Sequence, residues 1–262
     1  MTKGVRLRGV TASPRDEGLE SRLAGCWGPV FGYQKIDSAM DMAHELASEG
    51  SEEGTLVYAV GQEHGRGRQG RAWASPEGGA YFAIIARPLR SHGETPQLSL
   101  LAGLAAAEAV QALADVHPSI RWPNDLIVDG KKLAGILVEA KKGGVVIGIG
   151  INAATKPEDL PDVAVSLAAL GKPQDPVELA KEVCRRFSGH YRHWSKQGFA
   201  PFRDVLRPWI GMFGQPVHVT AGNDYFEGTA QDLDERGRLV VRLDSGVQRA
   251  FEVGEVTLLR SR

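Results

Sequence analysis

Residues Gly65-Arg66-Gly67-Arg68-Gln69-Gly70-Arg71 place three arginines and three glycines in seven positions. Arginine presents a rigid fork of donors that matches phosphate or carboxylate. Glycine lets the backbone approach a ligand closely. The segment suits an anion clamp; a basic surface loop is the plainer alternative. It also satisfies Gly-x-Gly-x-x-Gly, the dinucleotide fingerprint, which needs a strand before it and a helix after it. Residues 55–60 supply the strand, but Arg71-Ala72-Trp73-Ala74 runs into Ser75-Pro76-Glu77-Gly78-Gly79, which is turn chemistry. No acidic ribose ligand follows, so the clamp is the better reading. With no apolar anchor inside residues 64–72, the loop is expected to be mobile without ligand.

Three other segments could do chemistry. Side chains alternate faces along a strand. In Val145-Val146-Ile147-Gly148-Ile149-Gly150-Ile151-Asn152 the isoleucines share a core face, and Gly148, Gly150 and Asn152 share the other. Such a bare face admits a ligand, or else a tightly packed helix. Lys132 leads a face continued by Ala134, Ile136 and Val138, so it either snorkels or meets a buried anion. In Trp122-Pro123-Asn124-Asp125, Asn124 suits a base edge and Asp125 could position Mg²⁺ or hold a turn. The seven histidines show no metal-ligand spacing, and no Gly-x-Ser-x-Gly elbow is present.

The elements that must position these residues read as follows. Asp37-Ser38 opens a helix to about residue 48, with Asp41 three residues after Ser38 in a loose capping box. Strands fall at 55–60 and 80–86, and an alanine-rich helix at 97–114. Asp129-Gly130 joins strands 125–128 and 132–140 as a two-residue hairpin. Lys142-Gly143-Gly144 turns into strand 145–151. Helices return at 176–197 and 200–207. Short strands near 216–220, 225–232, 238–243, 247–252 and 255–259 then suggest a small SH3-like barrel. The fold class is α+β: a mixed β-sheet with flanking helices, then that barrel. Residues 1–20 read as an irregular, mobile segment, 21–210 as the catalytic domain and 211–262 as the small β domain.

Composition narrows the function. The net charge of −1 argues against a dedicated nucleic-acid binder, whose basic field would be broad. Cys26 and Cys184 stand far apart without metal-ligand spacing, which fits a reducing compartment. No signal peptide is evident at the start. The apolar stretch 98–116 carries Glu108 and Gln111 and reads as a core helix, not a membrane span.

Together these pieces resemble the biotin–protein ligases. The matching motifs are Ile36-Asp37-Ser38, Gln62 with Gly65 to Trp73 and Ser75-Pro76, Trp122-Pro123-Asn124-Asp125, Lys132 to Glu139 and Gly148 to Asn152. They stand in the family's order over residues 34–155, and Gly254-Glu255-Val256 is similar to part of its small β domain. The resemblance implies a ligase-like fold and two half-reactions. Biotin attacks the α-phosphate of MgATP to give biotinyl-5′-AMP, and a lysine of a biotin carboxyl carrier protein then takes the biotin. It implies biotin contacts from Ser38, Ala39, Gln62, Arg66, Gly67, Arg68, Lys132 and Gly135. Nucleotide contacts fall to Arg68, Arg71, Trp73, Asn124, Lys132 and Asn152. Lys132 and Arg68 are the catalytic candidates, and Asp125 the candidate for assisting Mg²⁺. ATP with Mg²⁺ and biotin are the substrates, with no tightly bound metal, nucleic-acid partner or membrane. The implied location is the cytoplasm, and homodimerisation is left open.

Two departures stand out. Ala39 replaces the family's usual threonine (Met40 also stands for a common asparagine, though methionine occurs there in relatives), and an N-terminal helix-turn-helix is not expected. Only about thirty residues precede the ligase region, too few for the helix-turn-helix that some members carry, so a repressor role is not expected. The rival readings are a lipoate–protein ligase-like enzyme and a non-catalytic biotin-binding sensor.

Overall fold

The computed structural model describes residues 5–7, 10–252 and 254–258. Nine of its strands form one mixed sheet: β1 (Val5–Leu7), β2 (Val10–Ala12), β3 (Val30–Ile36), β4 (Leu56–Gln62), β5 (Gly79–Ala86), β6 (Ser119–Arg121), β7 (Asp125–Val128), β8 (Lys131–Lys141) and β9 (Gly144–Asn152). Their order is β1-β2-β3-β4-β5-β9-β8-β7-β6. Only β3 and β4 pair in parallel, joined by α2 (Ala39–Ser48). Every other pairing is antiparallel.

Both faces of the central strands are buried, so their sequences are continuously apolar. Leu56, Tyr58, Phe82, Ile84, Ile147, Ile149 and Ile151 face a large core with α3 (Gln97–Ala114) and α4 (Pro176–Gln197). Val57, Ala59, Ala83, Ile85 and Val146 face a smaller core under α2. Among the described residues α3 is long and apolar enough to span a membrane, yet 78% of it is buried inside the protein. It is the core helix that its embedded Glu108 and Gln111 implied.

The Asp129-Gly130 hairpin forms as expected. Both residues have positive φ, 49° and 78°, which is the type I′ pattern. The expectation of an irregular segment over 1–20 is corrected for residues 10–20. Val10 and Ala12 are buried in β2, and α1 (Glu17–Arg22) is capped by Asp16, which accepts from the Leu19 amide. Two buried residues in β2 and one, Leu19, in α1 give no periodic signal. Residues 1–4 of that segment, with 8 and 9, lie outside the described residues.

After α5 (Phe202–Leu206) and a turn at Arg207–Trp209, five strands form a second, antiparallel sheet of the SH3-like type. They are β10 (Pro216–Ala221), β11 (Asp224–Leu233), β12 (Leu239–Leu243), β13 (Gln248–Phe251) and β14 (Glu255–Leu258), in the order β13-β12-β11-β10-β14. Val217, Val219, Leu239, Val241 and Phe251 fill its interior. The small sheet is tied to the turn between β6 and β7 and to the segment that precedes it. The Trp122 indole donates to the Gly237 carbonyl at 3.1 Å, and Arg203 and Arg207 both pair with Asp232.

Candidate active site

The arginine–glycine segment is a hairpin. Trp73 donates to the Gly65 carbonyl, Gly67 to that of Arg71, and Arg71 to that of Arg68. Gln69 (φ 56°) and Gly70 (φ 74°) form the tip, again with the positive-φ pair of a type I′ turn. Gly65 is required where it stands, because a Cβ there would lie 2.4 Å from the Trp73 carbonyl oxygen. Residues 64–72 carry no apolar anchor of their own, but the hairpin base is held in two other ways. Trp73, just beyond the loop, packs against Gly135 and Gly150, and the Arg66 guanidinium pairs with Asp41 at 2.8 Å and Glu139 at 2.5 Å. Arg66 also lines the smaller of the two cavities at this site, with its guanidinium engaged by these two carboxylates.

Lys132 corrects a second expectation. The register between β7 and β8 shifts, so that Leu126 faces Ala134 while Ile127 faces Lys132. Leu133 is the extra residue of a bulge, and a bulge re-aims the side chains around it. Leu133 and Ala134 both enter the core. Lys132 moves off the Ala134–Ile136 face onto that of Gly135, where a Cβ would lie 3.2 Å from its Nζ. Its Nζ pairs with Asp125 at 2.7 Å and stands 5.2 Å from the Trp73 ring.

The bare face of β9 is filled by side chains of this chain. A Cβ on Gly150 would lie 2.5 Å from the Trp73 indole nitrogen, and one on Gly148 2.4 Å from the Met40 sulfur. Helix packing, through Met40 of α2, therefore explains Gly148, and the loop explains Gly150. Among the described residues, Trp73 Nε1 is buried with no hydrogen-bond partner. A buried donor left in that state is costly, which marks a place where an acceptor belongs.

Two cavities meet at Arg68, Trp73, Asn124 and Lys132. The larger, about 400 Å³, is also lined by Arg71, Arg121, Leu160, Val163 and Val256. The smaller, about 50 Å³, lies over Gly135, Gly148 and Gly150 and is walled by Ala39, Met40 and Gln62. A strap of residues 163–165 edges the larger one, bonded both ways to the Lys132 backbone. Asn152 holds that strap, donating to the carbonyls of Val165 and Lys132 at 3.0 and 3.4 Å. Its own Oδ1 is buried without a partner among the described residues.

Several expected contacts are already engaged. The Asn124 amide accepts from Arg68 at 2.8 Å and donates to Asp125 and the Ile136 carbonyl, so it positions Arg68 and does not project as a free base reader. The Trp122–Pro123 peptide at this turn is cis. Arg68 also donates to the Gly254 carbonyl of the small domain at 3.3 Å. Arg71 is exposed and donates to the Arg68 carbonyl. Ser38 is fully buried as the cap of α2, accepting from the Asp41 amide. Gln62 accepts from the Ala39 amide and donates to Ser75, both within 2.9 Å. Gly67 and Gly135 line the smaller cavity as expected.

Behind Arg66 lies a charged cluster. Burial pushes the Glu139 carboxyl up, but the His44 hydrogen bond, with Arg66 and Lys141 nearby, outweighs it and holds the group below the usual carboxylate range. Burial lowers His44 against the pull of Glu139, 2.9 Å away.

Sequence reasoning gave no role in this site to Arg121 or the strap, and Met40, Ser75, Glu139 and the Gly254-Glu255-Val256 start of β14 figured in the resemblance without being placed at the site. The strap of residues 163–165 and β14 reach it only through tertiary folding, and no local pattern announces that. The fold also gathers Asp37, Glu63 and His64, whose ligand atoms lie within 4.8 Å of one another. Glu63 already pairs with Lys35 there, at 2.7 Å, and Asp37 accepts from the Thr11 amide.

Cations gathered over a glycine-floored slot, beside a larger cavity and under a hairpin, define a ligase core of the carboxylate-activating kind. The Biotin/lipoate A/B protein ligase family model matches residues 32–155, and the Biotin protein ligase C terminal domain model matches residues 212–259. The chain is 31% identical to the biotin–acetyl-CoA-carboxylase ligase of Mycobacterium tuberculosis, over 99% of this chain and 100% of that one. It is 35% identical to the bifunctional ligase/repressor BirA of Bacillus subtilis, over 89% of this chain and 75% of that protein. The solved biotin protein ligase from Aquifex aeolicus, in complex with biotin and ATP, superposes with a TM-score of 0.79 at 30% identity, covering 88% of this chain and 99% of that one. The chain belongs to the biotin–protein ligase family.

Proposed function

We propose that this chain joins biotin to ATP as biotinyl-5′-AMP and then transfers biotin to a lysine of a biotin carboxyl carrier protein. The observation that carries the reading is the placement of Lys132 and Arg68 where the two cavities meet. Biotin fits the small glycine-floored slot once it opens, and ATP the larger cavity. The biotin carboxylate oxygen attacks the α-phosphorus, and the bond to pyrophosphate breaks. Two anions must meet, so Lys132 and Arg68 offset their repulsion and stabilise charge building at phosphorus. In the second step the acceptor lysine attacks the acyl carbon and AMP leaves. The hairpin tip, with Arg71, excludes water from the anhydride meanwhile. The orphan Asn152 Oδ1 is an acceptor suited to an exocyclic amine of the nucleotide.

Mg²⁺ enters with ATP as part of the substrate. Asp125 fits poorly as its ligand, because its Oδ1 already takes both Lys132 and Asn124 and Mg²⁺ demands a near-octahedral oxygen shell. We assign Asp125 as the counter-ion that parks Lys132. A cytoplasmic setting belongs to the same proposal.

The test is ATP–pyrophosphate exchange, run with biotin and with lipoate, followed by transfer to a carrier domain. Exchange that needs biotin supports the reading. Exchange with lipoate alone moves the enzyme to the neighbouring activity, and no exchange makes it a sensor.

A further inference from the structure

Arg121 ends β6, the edge strand of the large sheet. It is half-buried and lines the larger cavity. In the β6–β7 pairing it lies directly across from Asp125. Residues opposite one another on neighbouring strands share a face of the sheet. Arg121 therefore stands on the face from which Asp125 reaches Lys132. Yet Asp125 gives its Oδ1 to Lys132 at 2.7 Å and to Asn124 at 3.0 Å. Among the described residues the Arg121 guanidinium has no ion pair and no hydrogen bond.

A guanidinium without a counter-ion is ordinary on an open surface. Here it lines a cavity that is already cationic. Arg68, Arg71, Arg121 and Lys132 stand there against one carboxylate, Asp125, which leaves a net charge of +3. A cleft lined by one sign of charge focuses its field and selects a polyanion. Position assigns which part of it each cation meets. Arg68 and Lys132 line both cavities, whereas Arg121 lines only the larger. The strand order β9-β8-β7-β6 puts Asn152, on β9, and Arg121, on β6, on opposite sides of Lys132, on β8. Strand β6 lies two strands from β8, roughly 10 Å at about 4.8 Å per strand. A nucleotide whose base meets Asn152 and whose α-phosphate meets Lys132 extends its outer phosphates toward Arg121.

We propose that Arg121 binds the β- and γ-phosphates of ATP and stabilises pyrophosphate as it leaves. The assignment rests on reading the two cavities as the biotin and ATP sites. When the biotin carboxylate oxygen bonds to the α-phosphorus, the bond from that phosphorus to the bridging oxygen breaks. Its electron pair stays on pyrophosphate, whose oxygens match a planar fork of donors. Once pyrophosphate has gone, Arg121 has no part in the transfer of biotin to the acceptor.

The test uses the full chain, wild type and carrying Arg121→Ala or Arg121→Lys. First, inorganic pyrophosphate with Mg²⁺ is titrated into each protein by calorimetry, without biotin. Affinity should fall about ten-fold in Arg121→Ala, the low end for a hydrogen bond between charged groups. Arg121→Lys, which keeps the charge but not the fork, should lose less. Second, formation of biotinyl-5′-AMP from biotin and ATP is followed. KM for ATP should rise about ten-fold in Arg121→Ala. Third, transfer from supplied biotinyl-5′-AMP to a carrier domain should stay within about two-fold of wild type, a split that damage to the whole site would not give. Equal pyrophosphate affinity in wild type and Arg121→Ala would overturn the assignment, whether both bind or neither does. So would an equal loss in the transfer arm, since that places Arg121 at the AMP half or in the framework of the site. The first arm needs no biotin. It therefore reads the pyrophosphate contact even if biotin-dependent exchange fails and the biotin reading falls with it.

Discussion

The base and the tip of one hairpin use the same residue type for different ends. At the base, Arg66 sits against two carboxylates and ties the loop to α2 and β8. At the tip, Arg68 sits at the cavity junction and reaches a carbonyl of the small domain. An arginine's role follows from what its fork meets, not from its place in a motif. Lys132 also stands at the junction, and its ionic partner, Asp125, is a carboxylate it can exchange for a substrate anion.

This division makes its largest prediction at the tip side of the site. Lys132→Ala should slow adenylation by about 10²–10³-fold, the usual loss for one preorganised donor to developing charge. Its effect should fall mainly on kcat. Single-turnover formation of the adenylate, trapped with hydroxylamine, measures it. Near-normal turnover in the alanine variant would remove Lys132 from the chemistry and collapse the contrast.

A second prediction tests the floor between base and tip. Gly150→Ala puts a methyl group 2.5 Å from the Trp73 indole nitrogen. Overpacking of this kind costs about 1–3 kcal/mol, so the indole should be displaced from the slot. Tryptophan fluorescence should shift to the red, and biotin affinity should fall by about 5- to 150-fold. An unshifted spectrum with normal affinity would mean that Trp73 does not rest on Gly150.

Ala39→Thr concerns the wall opposite the hairpin and should have a smaller effect. Gln62 spends its amide on the Ala39 backbone and Ser75, and Ser38 caps α2. A ureido group entering this slot is short of partners, and an unmet buried polar group costs about 1–3 kcal/mol. A threonine hydroxyl should recover part of that and tighten biotin several-fold in calorimetry. Unchanged or weaker binding would show that Met40 and Ala39 have rebuilt the slot around a different set of contacts.

Much of the fold was legible because the sequence patterns were local. Ser38 with Asp41 marks the start of α2, Asp129-Gly130 fixes one hairpin, and Ile147, Ile149 and Ile151 mark a core face. The site was legible as a set of residues but not as an arrangement. Strict alternation put Lys132 with Ala134, and one bulge at Leu133 reversed it. The bare face of Gly148 and Gly150 read equally as ligand space or packing, and Met40 and Trp73 now fill it. Arg66 and Arg68 were alike on paper because Asp41 and Glu139 lie 25 and 73 residues away from Arg66. Contacts at such separations leave no pattern in a window of ten or twenty residues.

The smallest predicted effect is the pH dependence of the base. Glu139 has a folded pKa below its unfolded value of about 4.3. The stability it contributes is present above that value and is lost as pH falls through the folded pKa. His44 is also depressed, below about 6.5. For a base, that means the unfolded chain takes up its proton first, so stability falls as pH drops below about 6.5. The two effects run in the same direction, the histidine earlier and the carboxylate later. The groups facing them are Arg66 from the hairpin, Asp41 from α2 and Lys141 from β8, with Asp37, Glu45 and Lys142 around the adjoining cleft. A partly exposed pair of this kind contributes about 0.2–1 kcal/mol. Wild type should therefore melt slightly above Glu139→Gln at pH 7, and the gap should close as the pH is lowered through the carboxylate range. In His44→Gln the loss of stability between pH 6.5 and 5 should be smaller than in wild type. A gap between wild type and Glu139→Gln that stays constant from pH 7 to 4 would mean that Glu139 is not acting as a charged partner. Arg66 would then be held by Asp41 alone, and the base would lose one of its two carboxylate ties.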